Sequence, residues 1–277
     1  MDFLIYNGEI KNKEEVNLSH LLYNETFSLN HKTWYGFGSI PLFDENIRLI
    51  GRQAEALNLP LPQLFQNKRE LFRITKRMLN KNKFYRSGYV HFHIYRGNQN
   101  SELLITNNAF QDFEFPFSEE GKLITISPQK KHSENNFNPF GFFNEMLWET
   151  TLSQLRGLHF QNAVLTNEKG AVCECAFSNI FLIKRNELIT PSKKTGCFID
   201  VLRPYILETA RLLKLKTVES ASIQPADLKN MDEIFLASEQ AGIQWVLGVE
   251  NKRFLHRHSR QIHDKLNPNY RISICQK

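Results

Sequence analysis

The sequence predicts an α+β fold in two domains, and three observations carry that prediction. The chain has 277 residues, 41% of them hydrophobic, enough for two cores of ordinary size. Strand-like and helix-like stretches are mixed without the regular alternation of a doubly wound sheet. Midway, from Phe110 to Gly121, the chain turns aromatic and acidic around Pro116 and loses any period, as a linker does. The expected layout is a small first domain over residues 1–110, a linker over 111–121 and a larger second domain over 122–277.

Phe3-Leu4-Ile5-Tyr6 reads as a strand entering the Asn7-Gly8 turn, with Glu25 to Leu29 as its partner. Ile47, Ile50, Ala54 and Leu57 recur at helical spacing between Asp44, the expected N-cap, and Pro60, the stop. A second helix is expected over residues 64–80. From Tyr89 to Arg96 the residues alternate, Val90, Phe92 and Ile94 on one face and His91, His93 and Tyr95 on the other, so a half-buried strand is expected, paired with residues 103–106. The second half begins with a strand over 123–127 and a polar loop through Pro139, followed by a helix from Asn144 to Leu158. Strands are then expected over 163–166, 171–174, 179–183 and 188–190, a helix over 201–213, short strands over 231–237 and 245–249, and a closing helix over 258–266.

Composition narrows the function classes. The N-terminus carries Asp2 and breaks at Asn7-Gly8 before a signal peptide could form, and no stretch approaches the roughly 18 apolar residues of a membrane span, so a cytoplasmic protein is expected. Cys173, Cys175, Cys197 and Cys275 then read as reduced thiols, and Cys173-x-Cys175 as packing on one strand face. The net charge of +6 is compatible with a nucleic-acid partner, but the basic stretches from Lys68 to Lys83 and Arg253 to Arg260 accompany no nucleic-acid motif. A mildly basic surface suited to small anions is the better reading, with no nucleic acid and no membrane as partner. Gly36-Phe37-Gly38 is followed by Pro41, which leaves no dinucleotide fingerprint.

Three ordered blocks carry a family resemblance. Gly170-Ala171-Val172-Cys173-Glu174 runs on to Asn179-Ile180-Phe181; Leu188-Ile189-Thr190-Pro191 follows, and then Gly196-Cys197-Phe198-Ile199-Asp200-Val201-Leu202-Arg203. They are similar to G-x-V-x-E-x-x-x-x-N-I-F, L-x-T-P and G-C-L-x-G-I-T-R of the class IV aminotransferase and aminodeoxychorismate lyase family. Tyr6-Asn7-Gly8, Tyr95-Arg96-Gly97, Asp232-Glu233-Ile234-Phe235-Leu236 and Gly242-Ile243 resemble further blocks of the same family. The resemblance spans nearly the whole chain. It implies the D-amino acid aminotransferase-like fold type IV architecture, a homodimer, pyridoxal phosphate as cofactor and a small anionic molecule bound between the domains.

The family's chemistry makes separate demands on the residues. A carboxylate facing the pyridine nitrogen keeps the ring an electron sink, and Glu174 occupies that position. The Schiff-base lysine lies three residues before an Asn; with Asn144 as that Asn, the position is Gly141, 33 residues before Glu174. Lys130 and Lys131 stand upstream of a polar loop and could substitute only by another chain path. Phosphate contacts come in the family from an Arg early in the first domain, from the G-I-T turn and from a late Thr. Ungapped alignment puts that Arg at Leu49 with Arg48 beside it, the turn at Asp200-Val201-Leu202 and the Thr at Glu239. The expected cofactor contacts are therefore Glu174, Arg48, Val201, Leu202 and Ser178, and the expected substrate contacts are Arg96 and Asn24. Asp200 and Glu239 bring two carboxylates toward a dianion; at ~4 Å and an effective dielectric near 20, each such contact costs several kcal/mol. The glycine-rich loop of the family is replaced by Ser19-His20-Leu21-Leu22-Tyr23-Asn24.

Three function classes follow. One is a working pyridoxal-phosphate transaminase or 4-amino-4-deoxychorismate lyase that uses a displaced lysine. Another is a family member whose cofactor site is dismantled, a pseudoenzyme acting in binding or assembly. The third is metal chemistry at His91-x-His93, which needs a third ligand that no spacing supplies, so no metal site is expected.

Overall fold

The computed structural model describes residues 2–17, 19, 27–96, 101–110 and 113–275, the side chains of 269–275 excepted. It falls into two compact units, Met1–Phe115 with Arg271–Lys277, and Pro116–Tyr270.

The first unit is built on an antiparallel five-stranded sheet in the order β2-β1-β5-β4-β3. Its strands are β1 (Phe3–Tyr6), β2 (Glu9–Asn12), β3 (Ser28–Tyr35), β4 (Gly88–Tyr95) and β5 (Glu102–Ala109). Asn7 and Gly8 both take positive φ, 48° and 90°, so they form the two-residue turn that Asn-Gly favours. That turn closes β1 onto β2, with Tyr6 opposite Glu9. β1 therefore does not pair with Ser28 and Leu29, which belong to β3 and pair with β4; Glu25 and Thr26 lie outside the described residues. Helices α1 (Phe43–Ala56) and α2 (Lys68–Lys81) cover the face formed by Ile5, Leu29, Val90, Phe92, Ile94 and Ile105, all fully buried. Asp44 is not the N-cap expected of it. Leu42 holds that position, and Asp44 and Glu45 lie in the first turn, where the helix dipole favours acids. Asn67 caps α2 by accepting the N–H of Glu70.

The second unit is a mixed nine-stranded sheet, β11-β10-β9-β12-β13-β6-β7-β8, with β14 added against β13. In chain order these are β6 (Phe117–Lys131), β7 (Asn162–Asn167), β8 (Val172–Cys175), β9 (Asn179–Lys184), β10 (Glu187–Pro191), β11 (Lys216–Ser220), β12 (Glu233–Ser238), β13 (Gly242–Val249) and β14 (Lys252–Arg253). Helices α3 (Gly141–Ser153), α4 (Arg203–Leu212) and α5 (Arg257–Cys275) complete it. β6 starts inside the stretch expected to be linker and runs 15 residues, parallel to both β13 and β7. α3 starts three residues before the expected Asn144, which lies inside the helix as an anchor. Its buried Nδ2 donates back to the carbonyls of Asn138 (2.9 Å) and Phe140 (2.7 Å), pinning the loop that leads into the helix.

One core cluster of this unit gathers Ile124, Val164, Ile180, Leu182, Leu228, Ile234 and Val246. A smaller one holds Trp148, Leu165, Ala176 and Phe198. No helix among the described residues is long and apolar enough to cross a membrane.

Candidate functional site

The site of the second unit is assembled by strand order. β6, β7 and β8 lie side by side, with Lys131 opposite Asn167 and Leu165 opposite Glu174. The lysine at the end of β6 thus reaches past β7 to the acid on β8. Its Nζ lies 2.9 Å from Oε1 and 3.0 Å from Oε2 of Glu174. The lysine side chain is 1% exposed and that of the glutamate 0%, so the pair is sealed from water. Glu174 accepts two more hydrogen bonds, from the indole Nε1–H of Trp148 at 2.8 Å and from the backbone N–H of Phe198. A buried carboxylate needs such partners, because an isolated charge in a core costs far more than any contact returns.

The rings that seal the pair also fill the space in front of Gly141. Trp148 packs on Phe177 and Phe198 with ring centroids 4.9 and 5.0 Å apart. A Cβ built at Gly141 would meet the Phe198 ring at 3.2 Å and the Trp148 ring at 3.8 Å. Any side chain there would need the Phe198 ring to give by a few tenths of an ångström.

A second cluster forms where the chain enters α4. Asn179 organises it, its Nδ2 donating to the Phe198 carbonyl at 2.6 Å and its Oδ1 accepting the Asp200 N–H at 3.2 Å. The buried Asp200 carboxylate turns inward. Its Oδ1 accepts the N–H of Leu202 at 2.8 Å and the N–H of Glu239, at the end of β12, at 2.9 Å. Burial raises the Asp200 carboxyl to about 6, and the two N–H bonds oppose that rise. Glu239 is itself buried. Gly196, upstream in the same block, is required by its φ of 78° and by the approach of Ser133, whose Cα would lie 2.8 Å from an added Cβ. Arg203 is also buried, and holds Thr190 Oγ1, the Pro191 carbonyl and Glu219.

The remaining expected residues are dispersed. Ser178 is buried in a tight turn, exchanging backbone hydrogen bonds with Cys175. Val201 is partly buried and Leu202 fully buried beside Asp200. In the first unit, Arg48 is exposed and pairs with Glu45 one turn away at 3.2 Å. Arg96 donates to the carbonyls of Leu57 and Asn58 beyond the end of α1, with its guanidinium over the Phe27 ring. Asn24 lies outside the described residues, as does the rest of the 20–26 segment. His91 and His93 stack in parallel, each held by an asparagine, Asn108 and Asn30 respectively. Burial, then His91 and Lys32, lower His93 to about 4, which leaves it neutral at pH 7. Among the described residues no group of three or more His, Cys, Asp or Glu side chains gathers at a spacing that could hold a metal.

Cys173, Cys175 and Cys197 are buried free thiols, all pushed up by burial, Cys173 to about 12. Protonated and enclosed, they are poor nucleophiles.

The profile of the family described as "Amino-transferase class IV" matches residues 28–248. The chain belongs to that family. A "Probable branched-chain-amino-acid aminotransferase" of Thermotoga maritima is 24% identical over 240 residues, covering 86% of this chain and 84% of the relative. Among solved structures, the branched-chain amino acid aminotransferase of Thermobaculum terrenum in its PLP form superposes with a TM-score of 0.81 at 17% identity, covering 100% of this chain and 95% of that one. A Legionella pneumophila protein named "Putative 4-amino-4-deoxychorismate lyase" gives 0.75 at 19% identity, covering 90% and 93%. The fold is that of the fold type IV enzymes, and the family implies pyridoxal phosphate.

The residues present do not fit that group. A pyridine nitrogen needs a carboxylate with an open acceptor side, and Glu174 already takes four hydrogen bonds from three donors, two of the bonds from the Lys131 ammonium. A phosphate needs open N–H groups, and those of Leu202 and Glu239 are bonded to Asp200. Sequence reasoning placed Glu174 but missed Lys131 and Trp148 as its partners. The signal was present in two residues able to donate to an acid, Lys131 and Trp148, but only the sheet order shows that they converge.

Proposed function

We propose that this class IV aminotransferase-family chain does not carry out pyridoxal-phosphate catalysis and serves instead as a binding or assembly protein, cytoplasmic and homodimeric. The observation that carries the reading is the buried Lys131–Glu174 pair. An acid whose charge is balanced inside the fold has no capacity left to hold a pyridinium. The glycine at position 141, where the family resemblance expects lysine, supports the same reading, as does the packing of Phe198 and Trp148 in front of it. Exposed apolar side chains around α3, Phe137 at 41% and Met146 at 79%, are consistent with a surface that a second copy covers.

Lys131 also favours one alternative, an active transaminase or 4-amino-4-deoxychorismate lyase with a displaced lysine, since it is the lysine that reaches Glu174. Against it, a lysine held on the carboxylate that should face the ring nitrogen cannot at the same time reach the aldehyde para to that nitrogen. It would have to leave both oxygens of a buried anion.

Incubation with excess pyridoxal phosphate, borohydride reduction and peptide mass spectrometry separates the two. The expected result is no stoichiometric adduct on any one lysine. A single-site adduct on Lys131 would establish the alternative.

A further inference from the structure

We infer that the chain supplies, from its own side chains, both charges that the cofactor would bring: the Lys131 ammonium replaces the pyridinium against Glu174, and the Asp200 carboxylate replaces the phosphate on the N–H groups of Leu202 and Glu239. This rests on the reading above that the cofactor site has been retired, and goes further in saying what fills it.

A local turn alone explains only part of the Asp200 geometry. A side chain bonding the N–H two residues ahead is an ordinary cap at a helix entry. The Glu239 N–H comes from 39 residues further on, at the end of a different strand, and meets the same oxygen. Two N–H groups converging from separate elements on one buried oxygen make an anion cradle, and the anion in it is covalently part of the chain. In the family resemblance the G-I-T turn and the late Thr are the phosphate contacts; here Asp200 and Glu239 stand at the first position of that turn and at that Thr. At the other end, Lys131 presents a cationic N–H to both oxygens of the carboxylate assigned to the pyridine nitrogen. Cation on acid and anion on N–H pair reproduce the charge order of the cofactor, and both are buried. Such a fold holds its site closed without a ligand.

The test is anion binding by wild type and Asp200→Gly, with inorganic phosphate as the probe and sodium chloride at equal ionic strength as the control, at pH 8. Removal of the carboxylate frees both N–H groups. Phosphate at saturating concentration should then raise Tm of D200G by about 2 °C or more above the chloride control, and leave wild type unmoved. An equal response of the two proteins, or no response in either, overturns the inference. Should D200G not fold, the wild-type amide resonances of Leu202 and Glu239 decide the matter. They stay in place on addition of phosphate if Asp200 occupies the cradle, and a saturable shift in both contradicts it. Failure here appears as an equal phosphate response or none, or as amide shifts in wild type, with no lysine adduct, whereas failure of the functional reading appears as the adduct itself.

Discussion

Lys131→Met will destabilise the second unit by about 3–5 kcal/mol, because it leaves the Glu174 carboxylate buried without its cation. The methionine fits the aliphatic path of the lysine, so the loss is electrostatic more than steric. Trp148 and the Phe198 N–H still donate to the carboxylate, but neither carries charge. The pair is the measurable unit: Lys131→Met with Glu174→Gln removes both charges, and the one amide oxygen still accepts from one of the two remaining donors. That double variant should recover about 2 kcal/mol or more of the loss, a coupling typical of groups in direct contact. Urea unfolding followed by tryptophan fluorescence reads both values. A cost below about 1 kcal/mol for K131M would show that the lysine is not the charge partner on which the acid depends.

Asp200→Asn should act in the opposite direction. The amide Oδ1 can keep the bonds from Leu202 and Glu239 while the buried charge disappears. The sign follows from the carboxyl group, raised by burial from 3.8 to about 6 in the folded chain. The folded state binds that proton more tightly than the unfolded state does. Wild-type stability therefore falls as pH rises from about 4 to 6, and the penalty is complete above that. A shift of this size corresponds to roughly 3 kcal/mol at most. D200N should be more stable than wild type by about 2 kcal/mol at pH 8, with the gap narrowing below pH 6 and closing near pH 4. Thermal unfolding at four or five pH values checks this; a gap independent of pH, or a less stable variant at pH 8, rules it out.

These residues show how far the sequence could be read. The alternation of Val90, Phe92 and Ile94 placed β4, Asn7-Gly8 placed a turn, and the blocks around Glu174 and Arg203 placed the architecture. Each is local, and local patterns survive in a single sequence. The errors came where a decisive contact is distant. β1 pairs with its own hairpin and β5, not with Ser28 and Leu29, since a two-residue turn costs less closure entropy than a longer loop. Helix α3 was expected from Asn144 and begins at Gly141, because Gly141, Phe142 and Phe143 carry neither a cap residue nor a helical period. Of β6 the sequence placed only the middle, residues 123–127; Gly121 and Pro128 break the pattern on either side, yet the strand runs through both from Phe117 to Lys131. Lys131 stood before a polar loop, within reach of the site only by another chain path, and the order β6-β7-β8 brings it to Glu174. Asp200 was legible as a carboxylate hostile to phosphate. Its bond to the Glu239 N–H, which makes it a substitute for phosphate, lies 39 residues beyond any local reading.

Equilibrium dialysis of the wild-type protein against pyridoxal phosphate at pH 8 tests the central claim most directly. A functional site of micromolar affinity, about 8 kcal/mol, would take up one cofactor per chain at tens of micromolar. With Glu174 paired to Lys131 and the Leu202 and Glu239 N–H groups held by Asp200, no saturable uptake is predicted in that range. Saturable binding of one pyridoxal phosphate per chain would contradict the account.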